Sequence, residues 1–306
     1  MINIFNNTKI NFISKFKIFS FTSIFFIFLG FLFFVLKGPQ LGIDFNGGTE
    51  LIVHLGNYES NDAVFKNKIS SYLNNNNIDS PRIKSYGNQK IQLLFDSSDI
   101  NKNVINEIIH DFGDKSMNVL SYNKVGSTIS SELKSSAFQA LFIAILLIGF
   151  YIIIRFDWYS SLGSIVAIIH DILIVISFLM FFSYQFDINI IAAFLIIIGY
   201  SLNDTIVVFD RIRENLEEYS KMELYEIINS SLNETLSRTT ITSLTTLFVL
   251  VSLFLFGGSS LLGLSFALII GVISGTYSSI FIATPIMMFL RNKYYKEENI
   301  KEEEWQ

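Results

Sequence analysis

Two charged residues inside apolar runs are the best candidates for chemistry in this sequence. Asp204 interrupts "GYSLNDTIVVFDRIREN": Ile188 to Tyr200 are almost wholly apolar, and Ile206, Val207, Val208 and Phe209 resume the run directly after it. An ionised aspartate near mid-bilayer costs about 3 kcal/mol on insertion scales. Protonating an ordinary aspartate at neutral pH costs about 4 kcal/mol. The two magnitudes are close, so a lone carboxyl at that depth is poised between charge states and a nearby cation decides between them. Arg238, which opens the fifth apolar run, is the candidate cation. Helical rise places Asp204 about 21 Å and Arg238 about 27 Å from the outer ends of their spans. That gap of about 6 Å is one a snorkelling arginine can cross.

The polar residues around the two support a shared site. Ser201, Asp204, Thr205 and Val208 lie on one helix face, with Asn203 beside them, while Thr242, Thr245 and Thr246 continue the face of Arg238. Asp204 and Arg238 are therefore expected to form a proton-coupling site, with Ser201, Asn203, Thr205 and Thr242 as its supporting polar face. The competing reading is a static ion pair that locks two helices. His170 and Asp171 form a second polar pair inside a span. They read equally as a packing contact and as members of a proton path.

Other chemistries find no footing. His54, His110 and His170 are far apart and no pair has metal-ligand spacing. No nucleophile–base grouping emerges, and a net charge of −5 gives no sign of nucleic-acid binding. "GIDFNGGT" (Gly42–Thr49) imitates a phosphate-binding loop, but Gly48 stands where the lysine belongs and Asp44 would repel phosphate. It is expected to be a turn. The sequence thus predicts no enzyme, no metal and no cofactor.

The elements that must position these residues are membrane helices. The chain has 306 residues, is 51% hydrophobic and only 16% charged, and contains no Cys. A bilayer core needs about 20 apolar residues per helix. Segments near Phe19–Leu36, Ala137–Ile154, Leu162–Phe182, Ile188–Phe209, Thr239–Phe256 and Leu261–Leu290 qualify. The first follows Lys9, Lys15 and Lys17 but runs too long for a signal peptide, and reads as an uncleaved anchor. Lys and Arg collect in the N-terminus, the 155–161 and 210–238 loops and the tail, whereas "SYQFD" and "GGSS" carry none. Both termini are therefore expected to be cytoplasmic.

The expected organisation is residues 1–36 as N-terminus and first span, and 37–136 as an extracytoplasmic domain. Residues 137–290 then form a five-helix transmembrane bundle and 291–306 a cytoplasmic tail. In the outer domain, strands are expected at Thr49–Leu55, Arg82–Tyr86, Gln89–Phe95 and near Met117–Tyr122, with helices at Asp62–Leu73 and Ile100–Phe112. Gly87 and Asn88 form the hairpin turn. The order βαββαβ is ferredoxin-like. The fold class is an α-helical polytopic membrane protein with one ferredoxin-like α+β extracytoplasmic domain. In the sixth span Gly263, Ala267, Gly271, Gly275 and Ser279 form a small-residue face for helix packing. Residues 214–234 read as a solvated, acidic cytoplasmic helix.

"GIDFNGGTEL", "IRFDW", "IIHDIL", "GYSLNDTIVVFDRIREN", "ETLSRTTITSLTTL" and "GTYSSIFIATP" occur in this order along nearly the whole chain. Together they resemble the SecF family of bacterial protein-export subunits, within the superfamily of proton-driven RND exporters. The resemblance implies an inner-membrane protein acting with a SecD-like subunit, beside the SecYEG channel and the SecA motor. Such a pair uses the proton-motive force to promote translocation of preproteins. The family's intramembrane acid falls on Asp204 and its essential arginine on Arg238. "VGSTISSEL" departs from the family pattern, Ser127 and Ser130 replacing a Pro and a Gly in the linker before the second span. An RND-type exporter of small molecules is the alternative; such chains usually carry twice as many spans and outer domains.

Overall fold

The computed structural model describes residues 10–55, 67, 70–71, 81–85, 89–96, 118–219 and 222–293. It divides into two compact units: Gln40–Gln139 with Gln185–Ile188, and the remainder of the chain. The helical unit takes its form from hydropathy. Six helices are long and apolar enough to cross a membrane. We number the helices α1 (Phe16–Lys37), α2 (Ile43–Asn46), α3 (Ser127–Arg155), α4 (Trp158–Phe181), α5 (Ile188–Glu218), α6 (Leu224–Phe256) and α7 (Leu262–Ser278). Beyond Ser278 the last span continues to Lys293. All of these except the short α2 belong to the candidate spans.

Each of the six spans runs past the apolar segment that revealed it at one end or both. Polar helix ends need no lipid, and a hydrogen-bonded helix continues into water wherever propensity and packing allow. One expectation is corrected here. Residues 214–234 are not a separate helix: α5 continues to Glu218 and α6 begins at Leu224, so the two spans meet in a hairpin. Its arms are joined by Asn215, which donates to Ser231 Oγ at 2.9 Å, and by an ion pair from Arg211 to Glu234.

Helices α4, α5 and the last span are the buried ones, and α1, α3 and α6 lie at the perimeter. The small-residue face of α7 packs within the chain, against α5. A Cβ on Gly275 would meet Ser201 Cβ at 3.0 Å, and one on Gly271 would meet Ile197 Cγ1 at 2.3 Å. After Ser278 the helix widens into a π turn, Ser279–Ala283. Pro285 supplies the cause. It has no N–H to give the carbonyl four residues back, and its ring clashes there in an α-helix. At the end of the turn Thr284 Oγ1 donates back to the Ser279 carbonyl at 2.8 Å.

A clasp holds the N-terminal segment to α6. Asn229 and Asn233, one turn apart, accept from the backbone N–H groups of Phe12 and Ile10 at 2.9 Å, and both donate to the Ile10 carbonyl. Phe12 and Phe16 are thereby set into a buried cluster with Val208, Phe209, Ile212, Ile228, Leu232, Phe281 and Met287.

The other unit is built on a four-stranded antiparallel sheet of β1 (Gly48–His54), β2 (Arg82–Ser85), β3 (Lys90–Phe95) and β4 (Asn118–Val125). Its order is β2-β3-β1-β4, with β1 central and paired in register Leu51↔Leu93 and Leu51↔Tyr122. That order and pairing are those of a ferredoxin-like sheet. The helix expected at 100–112 and the turn at Gly87–Asn88 lie outside the described residues. Of the helix expected at 62–73, only residues 67, 70 and 71 are described, and these are helical.

The Gly42–Thr49 segment, expected to be a turn, is the single helical turn α2 followed by Gly47 and the start of β1. Gly47 and Gly48 have φ of 73° and 118°, and a Cβ on Gly48 would strike the Phe95 carbonyl oxygen at 2.2 Å. Asp44 Oδ2 accepts from the Ile188 N–H at 3.0 Å and so caps the start of α5. On the sheet, Lys84 donates to Gln40 Oε1. Burial, helped by the Arg82 charge, lowers its amine from 10.5 to about 8. The unfolded chain then binds more protons than the fold between those values, so Lys84 makes folding of this unit more favourable as pH rises from about 8 towards 10.5. We expect the rate of Lys84 acylation, followed by mass spectrometry across pH, to reach half its maximum near pH 8. A midpoint near that of an exposed lysine, about 10.4, would refute the assignment.

Candidate functional site

Three buried helices bring two carboxyls into the interior of the helical unit. Asp171 on α4 has 0% exposure and Asp204 on α5 has 1%. Both lie in the sequences expected to span a bilayer, where only protein can solvate them. They are solvated very differently.

Asp171 is saturated. Its Oδ1 accepts from Ser274 Oγ at 2.6 Å and faces His170 Nδ1 at 3.0 Å. Its Oδ2 accepts from Ser201 Oγ at 2.6 Å and Ser278 Oγ at 2.7 Å. Four contacts fill the four lone-pair positions of a carboxylate. The donors come from α4, α5 and α7, so this one group ties three helices together. His170 is itself buried, its ring 5.8 Å from that of Tyr277. Its Nε2 has no partner among the described residues.

Asp204 is only half satisfied. Its hydrogen-bonding neighbours are Thr276 of α7, Ser243 of α6 and the adjacent Asn203. Ser243 and Thr276 also share a 2.6 Å hydrogen bond. Asp204 Oδ2 is buried without a hydrogen-bond partner among the described residues. A carboxyl oxygen left open in this way can take up a proton without displacing an existing donor.

The structure gathers part of the predicted set and disperses the rest. Ser201 joins the site through Asp171, and Thr205 donates to the Ser201 carbonyl at 3.1 Å, one turn from the carboxyls. Asn203 is exposed on α5. Arg238 is exposed on α6 and forms no ion pair among the described residues, although its charge acts on Asp204. The expected pair is thus open in this conformation. Thr242 bonds back to the carbonyls of Arg238 and Thr239 at 3.1 and 2.9 Å. Thr245 likewise turns to its own helix, and Thr246 receives a 3.3 Å bond from Tyr200.

The residues not anticipated are Ser243, Ser274, Thr276 and Ser278. The sequence marks Gly263, Ala267, Gly271, Gly275 and Ser279 as a packing face, and packing is only part of what this helix does. Gly275 lets α7 approach α5, while Ser274 and Ser278 on one flank reach Asp171 and Thr276 on another reaches Asp204. Hydroxyls alternating with glycine at a close helix contact were the available signal.

The fold and the site define a polytopic α-helical membrane protein with ionisable groups buried in its spans. The family described as protein export membrane protein SecD/SecF, C-terminal, matches residues 104–293. A protein translocase subunit SecF from Rhodothermus marinus is 42% identical over 275 residues, covering 87% of this chain and 88% of that protein. One from Calditerrivibrio nitroreducens is 37% identical over 296 residues, covering 94% and 96%. Among solved structures, SecDF from Thermus thermophilus, described as a translocon-associated membrane protein, superposes with TM-score 0.84 at 31% identity. The match covers 94% of this chain but only 39% of that one. SecDF in a super-membrane-facing form gives TM-score 0.71 at 30% identity, covering 97% and 40%. The chain belongs to the SecD/SecF family of protein-export membrane proteins.

The contrast between the carboxyls is testable. Asp171→Ala strands three serine hydroxyls and His170, and should cost about 3–5 kcal/mol, as breaking a buried charged contact does. Asp204→Asn removes no bond from Oδ2 and should stay within about 1 kcal/mol of the parent. Thermal unfolding in detergent, followed by the loss of monodisperse protein, should rank them in that order.

Proposed function

We propose that this chain is the SecF subunit of a bacterial Sec export machinery. In this reading it acts with a SecD-like subunit to use the proton-motive force to promote preprotein translocation beside a SecYEG channel and its SecA motor. It acts as a non-enzymatic transport subunit. Asp204 is the group that takes and releases the proton, and Arg238 is the cation that sets its charge. The observation that carries this reading is the buried Asp204 carboxyl with one oxygen unpartnered among the described residues, placed where α5, α6 and α7 converge.

The perimeter supports a partner. Arg238, Thr245 and Asn203 are exposed at the depth of the apolar spans. Exposed polar side chains on a membrane span find better hydrogen-bonding partners in another helix than in lipid, so this part of the perimeter suits a protein neighbour. The second half of a SecDF-like assembly is the natural occupant, since this chain spans 39% of the matching SecDF chain.

Charge selection follows from the geometry. With Arg238 drawn towards Asp204, the carboxylate is favoured; with Arg238 withdrawn, the low-dielectric site favours the neutral acid. Each proton moving down the membrane potential releases about 2.3 kcal/mol per 100 mV. That is comparable to one or two charged hydrogen bonds, and so enough to bias a rearrangement of helices. Orientation follows from the loop charges, with both termini and the α5–α6 hairpin cytoplasmic and the sheet outside.

In vesicles with an imposed proton gradient, Asp204→Asn should assemble at normal levels yet lose gradient-stimulated export. Arg238→Met should behave alike, and Arg238→Lys should keep part of the activity, because a point cation without the planar fork still shifts the acid. Full gradient-stimulated export by Asp204→Asn would sink the proton-switch reading. Orientation has its own check, since the chain lacks Cys. In intact cells, an impermeant thiol reagent should label Lys124→Cys and spare Glu217→Cys, both exposed positions.

A further inference from the structure

Helix α6 carries a second polar line, buried beside the exposed face that holds Arg238. Ser231, Thr235, Thr239 and Ser243 recur every four residues and are 0%, 7%, 2% and 5% exposed. Each hydroxyl donates to the carbonyl four residues back: Ser231 to Ile227 at 2.8 Å, Thr235 to Ser231 at 3.0 Å, Thr239 to Thr235 at 3.2 Å and Ser243 to Thr239 at 2.9 Å. The line covers about 18 Å of helix.

Hydroxyls that bond back to their own helix are common in membrane spans, where they need no other role. What sets this line apart is its two ends. Ser243, at one end, is a hydrogen-bonding neighbour of Asp204, whose Oδ2 is buried and unpartnered among the described residues. Ser231, at the other, accepts from Asn215 Nδ2 at 2.9 Å, and Asn215, with 0% exposure, likewise leaves its Oδ1 unpartnered among the described residues. Asn215 Nδ2 also reaches Glu234 Oε2 at 3.2 Å, at the hairpin end of α5 and α6. Two orphaned buried acceptors therefore terminate one row of buried hydroxyls. Asp204, Val208, Ile212 and Asn215 lie on one face of α5. Val208 and Ile212 belong to the apolar cluster that includes Ile228 and Leu232 of α6.

We infer that this line is the proton path between Asp204 and the hairpin end of the bundle, closed here by that apolar cluster. The inference rests on the proton-coupling role proposed for Asp204. Each hydroxyl donates its hydrogen and keeps lone pairs that can accept another. Neighbours at i and i+4 are about 5–6 Å apart, the span of one bridging water with a hydrogen bond on either side. Protonated Asp204 gives its proton to Ser243. Each hydroxyl passes on one proton for every one it receives, through the intervening waters. The last proton leaves past Asn215 to the Glu234 carboxylate or to bulk water. No group keeps a net charge except Asp204, which becomes a carboxylate. Entry of water requires Val208 and Ile212 to move apart from α6, so the path conducts only in another arrangement of the two helices.

Shape and hydroxyl can be separated at Thr235 and Thr239. In vesicles holding the chain with its SecD-like partner, at matched membrane levels, Thr235→Val with Thr239→Val keeps the shape and removes the relay. It should lower gradient-stimulated export by about tenfold or more, as loss of a proton-transferring group does. Thr235→Ser with Thr239→Ser removes two methyls, keeps both hydroxyls and should retain the parent rate. A packing role gives the opposite order. If the valine pair is short in the membrane, Thr239→Val alone carries the comparison. Parental export by the valine variant, or equal loss in the serine variant, overturns the path. Asp204→Asn is measured alongside: its loss with an unimpaired valine variant refutes the path alone, whereas its full activity refutes the coupling role on which the path rests.

Discussion

A carboxylate inside hydrocarbon must be solvated by its own protein, and the helical unit is arranged around that demand. Asp171 meets it with donors from three helices. Removing any one of those helices from its place would strand a charge and a hydroxyl together in a medium that solvates neither. The packing details serve the same end. Gly275 brings α7 close enough to α5 for Ser274 and Ser278 to reach across, and the helices that supply the donors are the most deeply buried ones. Apolar packing between membrane helices gives little preference for one rotation over another, because lipid tails are as apolar as leucine. A saturated carboxylate supplies that preference.

Against this fixed point, Asp204 stands out by what it lacks. The same α5 that delivers Ser201 to Asp171 presents Asp204 one turn on, near Ser243 of α6 and Thr276 of α7 and with Oδ2 unpartnered among the described residues. Interiors usually satisfy their polar atoms, and exceptions mark sites of chemistry or strain. Asp204 is such an exception, next to residues whose own hydrogen bonds are complete. The rigid group on α4 holds α5 through Ser201, and the responsive group sits one turn further along α5, so movement at one is felt as a change of distance at the other.

Much of this was legible in the sequence, for definite reasons. The six spans and the sheet follow from hydropathy and from alternation, which are properties of the chain itself. Asp204 was conspicuous because an acid in an apolar run has few bland explanations. The hydroxyls of α7 were not, because a serine beside glycine looks the same whether it packs or donates. The reach of α5 to Glu218 and of α6 back to Leu224 was hidden too, since polarity marks the membrane edge and not the end of a helix. The orientation of Arg238 was beyond reach. Depth along a helix can be counted from residues, but rotation about its axis is set by neighbours.

The π turn at Ser279–Ala283 gives the last span something like a gear. Such a turn holds one residue more than an α turn closes over. Were the extra residue handed along the helix, the segment above would advance by about 1.5 Å and swing by about 100°. Pro285 anchors the turn from below, so the slack belongs to the stretch that carries Ser274, Thr276 and Ser278. A ratchet of one residue there would exchange the hydroxyls facing the two carboxyls while leaving both ends of the helix where they are.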